Sequence, residues 1–153
     1  MPNTFTQIHM QVIFAVEYRI ALIKKEWETD LYKYITSIIQ KHHHKVLTIG
    51  GIHDHIHVFF GMRPTQALSD LVKEVKQSSS LWINDNKLTI GRFSWQEGYG
   101  GFSYAKSQID SVIKYIDNQE QHHYNTPFLE EYKTFLNRFK VDYDEKYIFK
   151  ELV

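Results

Sequence analysis

Apolar and polar residues alternate from Thr6 to Val16, with Ile8, Met10, Val12, Phe14 and Val16 on one face and Gln7, His9, Gln11 and Ile13 on the other. That period of two predicts a first strand. Trp27, Leu31, Ile35, Ile38 and His42 then recur every three or four residues and predict a helix over Lys25–Lys41. The run His42-His43-His44-Lys45 reads as a cationic helix end set against the helix dipole. Val46–Gly50 predicts a second strand, and Gly50-Gly51 a tight hairpin link to a third. In that third strand Ile56, Val58 and Phe60 share the core face, which leaves His55 and His57 side by side on the open one. Pro64-Thr65 starts a second helix whose buried stripe is Leu68, Leu71, Val72, Val75 and Trp82, and Asn84–Gly91 reads as loop.

Phe93–Gln96 and Gly101–Tyr104 flank a glycine-rich segment, predicting one or two short strands around a flexible link able to act as a hinge. Ser107 opens a third helix running to about Glu120, with Ile109, Val112, Ile113 and Ile116 as its stripe. Thr126-Pro127 caps a fourth, Phe128–Phe139, before a tail of alternating charge and aromatics. The order is the βαββαβ pattern of a ferredoxin-like antiparallel sheet. The expected class is therefore α+β, with helices on one face, then a tyrosine-bearing helix and a further helix. One domain is expected over residues 1–153, with a core at 6–121 and a helical extension at 122–153.

In this topology the first and third strands are neighbours, so His9 and Gln11 share the open face with His55 and His57. The two imidazoles, with Cβ atoms roughly 7 Å apart, are able to reach one metal ion. Tyr115 and Gln119, four residues apart, stack on the shoulder of the third helix's apolar stripe and look into the seam between helix and sheet. A Gln oxygen with two neutral imidazoles suits an oxygen-loving divalent cation that keeps positions open for water and phosphate.

Composition narrows the chemistry. The chain has no cysteine, which excludes disulfides and thiolate metal sites. Eighteen basic and 18 acidic residues cancel, so any phosphate partner has to be met by a local patch. The first residues lack the basic and apolar blocks of a signal peptide and no apolar run has the length of a membrane span, so a cytoplasmic location is expected. A His-hydrophobe-His strand, or a Tyr and a Gln at helical spacing, is by itself an ordinary structural pattern.

Together the motifs are more specific. His55-Ile56-His57 resembles the signature of HUH-superfamily nucleases, and Tyr115-Ile116-Asp117-Asn118-Gln119 resembles the Tyr-x-x-x-Gln of their single-tyrosine transposases. Gly50–His57, Trp95–Gly100 and Tyr115–His123 are similar in their wider context, to REP-associated tyrosine transposases among others. The resemblance implies cleavage and rejoining of single-stranded DNA beside small hairpins, through a transient 5′-phosphotyrosine, with Mg²⁺ or Mn²⁺. On that basis Tyr115 is the nucleophile, and His55, His57 and Gln119 are the metal ligands.

The resemblance also implies a homodimer in which the tyrosine helix of one subunit is able to complete the site of the other. Phosphate contacts are assigned to Arg19, Lys73, Lys76, Arg92 and Lys106, and support behind the ligands to His9, His53 and His122. Val16-Glu17-Tyr18-Arg19 departs from the family's Thr-Lys-x-Arg run, keeping Arg19 but reversing the charge at Glu17. Two other readings remain: a catalytically silent single-stranded DNA-binding regulator of the same fold, and a phosphodiesterase that uses water.

Overall fold

The structure, a computed structural model, describes residues 4–17, 22–121 and 128–141. Arg19, His122, the Thr126-Pro127 cap and the tail from 142 lie outside the described residues. The elements are β1 (His9–Ala15), α1 (Lys25–Lys41), β2 (Lys45–Ile52), β3 (His55–Gly61), α2 (Leu68–Asp85), β4 (Gly100–Tyr104), a 3₁₀ turn (Lys106–Gln108), α3 (Ile109–Asp117) and α4 (Phe128–Arg138). The sheet is antiparallel in the order β2-β3-β1-β4, so the fold is the α+β arrangement expected from the element order. No helix among the described residues is long and apolar enough to cross a membrane.

The period-two pattern sorts the two faces. Val12, Phe14, Ile56, Val58 and Phe60 enter a core filled from α1 by Leu31, Ile35 and Ile39 and from α2 by Leu71, Val72 and Val75. The other face carries Gln11 and Ile13 on β1 and His55, His57 and Phe59 on β3, all wholly inaccessible. α3 and α4 cover this face, in keeping with the expected seam between helix and sheet. Val112 and Ile116 of α3 pack on Phe59, and Phe135 of α4 lies against Phe102 and His57.

Several local expectations give way to contacts that are distant in sequence. Gly50 and Gly51 lie inside β2, and the hairpin turns at His53-Asp54. A Cβ on Gly50 would sit 2.4 Å from the carbonyl oxygen of Ile116, and one on Gly51 2.3 Å from that of His55. These glycines therefore serve close approach, not a turn. Gly100 likewise lies in β4, where a Cβ would meet the Tyr132 ring at 2.6 Å, so that end of the glycine segment is packed, while Gly98, at φ 88°, has nothing within 4 Å of a Cβ position.

Phe93–Gln96 forms a single bridge, Val16 to Trp95, not a strand. It is held instead by Asn84, whose Nδ2 donates to the Phe93 carbonyl (2.9 Å) and whose Oδ1 accepts from its N–H (2.7 Å), and by Trp95 Nε1 donating to Ser79 Oγ (2.9 Å). The α2 helix starts at Leu68, after a turn at Pro64-Thr65 and a bend at Gln66, and runs to Asp85. His44, assigned to a cationic helix end, is buried; it accepts from the Arg63 N–H at 2.9 Å and donates to Gln66 Oε1 at 2.8 Å.

Gly50→Ala is expected to destabilise the fold by about 1–3 kcal/mol, because the α3 backbone has no flexible atom to move aside. Gly91→Ala, with nothing within 4 Å, should stay within about 1 kcal/mol of wild type. Urea unfolding midpoints at constant m-value check both.

Candidate active site

The site begins with two strand positions of like parity on β3. His55 and His57 are fully buried with ring centroids 5.2 Å apart. Each is oriented through Nδ1: His55 donates to Asp54 Oδ1 at 2.8 Å, and His57 donates to Gln11 Oε1 at 2.7 Å. Gln11 is itself aligned by donating from Nε2 to the Tyr104 hydroxyl at 2.8 Å. Both Nε2 atoms are thereby turned inward with their lone pairs.

Three further groups arrive from the covering helices. Gln119, just past the end of α3 at Asp117, puts Oε1 3.2 Å from His55 Nε2. Tyr115 stacks edge-on against His57, with centroids 5.9 Å apart, and is only partly buried. Glu131 of α4 enters between them. Its Oε1 lies 3.2 Å from His57 Nε2 and 3.7 Å from His55 Nε2, while its Oε2 accepts from the Tyr115 hydroxyl and from Gln119 Nε2, the latter at 3.2 Å.

Burial pushes the Glu131 carboxyl up to about 7; the nearby His55 opposes this and Asp54 adds to it. Burial also lowers His55, against the pull of its Asp54 hydrogen bond, which favours the neutral imidazole a metal ligand must be. One ligand atom from each of His55, His57 and Glu131 lies within 4.8 Å of the others. Converging electron pairs from two imidazoles, a carboxylate and an amide oxygen repel one another unless a positive charge stands among them. The donor set therefore fits a divalent cation that favours nitrogen and oxygen ligands.

A family model for "Transposase IS200 like" matches residues 4–119. The chain belongs to this IS200-like transposase family. It is 25% identical over 119 residues to the ISDra2 transposase TnpA of Deinococcus radiodurans, covering 74% of this chain and 84% of that protein. Two solved structures share the fold of the transposase. A Deinococcus radiodurans R1 protein assigned as a transposase superposes with a TM-score of 0.61 at 19% identity, covering 76% of this chain and 94% of its own. A REP-associated tyrosine transposase bound to a REP hairpin superposes with a TM-score of 0.58 at 11% identity, covering 79% and 72%.

The remaining assigned residues scatter. His9 sits at the far end of β1, opposite Gly61 and Tyr104, where it touches none of the cluster; the role given to it falls to Gln11, one full pleat nearer. His53 is an exposed turn residue. Lys76 donates to the carbonyls of Gln96 (2.7 Å) and Gly98 (2.9 Å), holding the loop before β4, and burial lowers its pKa. Lys73, Arg92 and Lys106 are exposed on separate elements. Glu131 escaped the sequence reading. Its signal was a carboxylate set four residues before Phe135, within the apolar stripe of α4.

Mn²⁺ is expected to raise the unfolding temperature of the transposase, and His57→Ala to remove most of that rise. Gln11→Leu, which deletes the acceptor that orients His57, should weaken Mn²⁺ binding about 10–100-fold by calorimetric titration.

Proposed function

We propose that this transposase cuts and rejoins single-stranded DNA next to hairpins through a covalent link between Tyr115 and a 5′-phosphate. The observation that carries the reading is the meeting of the Tyr115 hydroxyl with both imidazoles at one Glu131 carboxylate. In the forward step the Tyr115 oxygen bonds to the scissile phosphorus, the bond from phosphorus to the 3′-oxygen breaks, and the strand leaves with a 3′-hydroxyl. A second 3′-hydroxyl reverses the step, so the bond energy is conserved and no nucleotide cofactor is needed.

A phenol with an ordinary pKa of about 10 is a weak nucleophile near neutrality. Glu131 Oε2 already accepts the hydrogen bond of the phenol and is placed to take its proton. Glu131 Oε1, His55 Nε2 and His57 Nε2, with Gln119 Oε1, would hold Mg²⁺ or Mn²⁺. When bound, the ion would polarise the phosphate and stabilise the departing oxygen. Asp54 and Gln11 keep the two imidazoles turned toward it. Tyr115 reaches the histidines of its own chain, so a homodimer, part of the same proposal, is not required to complete the site.

Incubation with Mn²⁺ and a hairpin-bearing single strand is expected to give a protein–DNA adduct that resists denaturation. Tyr115→Phe should abolish the adduct while leaving the unfolding midpoint within about 1 kcal/mol of wild type. An adduct that survives the substitution moves the nucleophile elsewhere. Binding with no adduct under any divalent cation makes the protein a catalytically silent regulator.

A further inference from the structure

At the far end of the sheet from the histidines, a groove of about 540 Å³ opens between the segment leading into β1 and the α1–β2 and β3–α2 turns. Lys45, Arg63, His43, His9 and Phe5 line it, and among the described residues no carboxylate does. In a chain with equal numbers of acidic and basic residues, this is a local concentration of cations. Neither Lys45 nor Arg63 is ion-paired among the described residues, and both are exposed.

Arg63 is held in place. Its backbone N–H donates to His44 Nδ1 at 2.9 Å and its Nε to the His43 carbonyl at 3.2 Å, where His43 turns the chain at φ 68°. The floor is Gly61. A Cβ there would lie 3.9 Å from Lys45 Cβ and 4.0 Å from His9 Cδ2, so the missing side chain leaves a slot between them. Phe5, 91% exposed, stands in the same groove.

We propose that this groove binds the backbone of an unpaired DNA strand, with Lys45 and Arg63 on phosphates and the Phe5 ring against a base. The proposal rests on the reading of DNA as substrate and adds a second contact region to it. The volume suits one or two nucleotides. A lone ring gains by stacking only on a base whose face is not already covered, which favours an unpaired strand over a hairpin stem. Gly61 is four residues along β3 from His57, roughly 13 Å, so a strand lying in the groove continues toward the Tyr115 side of the sheet.

Fluorescence anisotropy of the full chain with a labelled oligothymidylate, and separately with a fully paired hairpin, tests this over a range of salt. Lys45→Ala with Arg63→Ala should weaken oligothymidylate binding about tenfold or more and make the slope of log K against log salt shallower by about 1.4, for two contacts. Phe5→Ala should weaken it about 5- to 100-fold at unchanged slope, and Lys24→Ala with Lys33→Ala should change neither. Wild-type affinity and slope in the groove variant overturn the proposal, as does a loss confined to the hairpin. The adduct assay is independent: no adduct in wild type with weakened binding in the groove variant removes the strand-transfer reading and keeps the groove. An adduct with unaltered binding in the groove variant does the reverse.

Discussion

Two imidazoles without access to water, capped by a carboxylate from a helix more than seventy residues later in the chain, set the terms for the rest of this molecule. Burying that many polar atoms is costly unless each finds a partner. The surrounding positions look chosen to supply them: Asp54 immediately before the strand, Gln11 on the neighbouring strand, Tyr104 behind Gln11, and Gln119 beyond the tyrosine helix. Each partner comes from a different element. The sheet order, which places β1 between β3 and β4, is what lets one network draw on all of them.

The covering helices are held by shape as much as by polarity. The backbone of α3 at Ile116 descends onto β2 because position 50 has no side chain, and Thr48 Oγ1 donates to Asp117 Oδ1 at 2.6 Å beside it. On the other flank Tyr132 of α4 fits against Gly100, and Phe135 fills the space between Phe102 and Tyr115. Close contact at both flanks fixes the height of Tyr115 and Glu131 above the imidazoles, and so the hydrogen bond between them.

Much of this was legible from local pattern. The α1 helix has the boundaries its apolar spacing predicts, and the element order gives the sheet. The failures share one cause, which is that the deciding atom lay far away in sequence. Gly50-Gly51 reads as a turn until Ile116 and His55 are seen to occupy the space, and Gly100 reads as slack until Tyr132 does the same. His9 and Gln11 have the same parity on β1, but the register sets His9 opposite Gly61 and Gln11 opposite Phe59, from where the longer Gln11 side chain reaches His57 on the diagonal. Glu131 was hidden because a charged residue in an apolar stripe looks like an edge position until the polar pocket beneath it is known.

If the proposed homodimer exchanges its tyrosine helices, the anchoring of Gly100 and Gly101 limits where they pivot. Gly100 and Gly101 are paired with Ile13 and Val12, so a pivot there would have to peel an edge strand from the sheet. The next point along the chain is Ala105–Gln108, where one side-chain bond, from the Ala105 N–H to Gln108 Oε1 at 2.8 Å, bridges strand and helix. An exchange that pivots at this short joint leaves the four-stranded sheet whole and carries Tyr115 and Gln119 away together, while both imidazoles stay behind with Asp54 and Gln11.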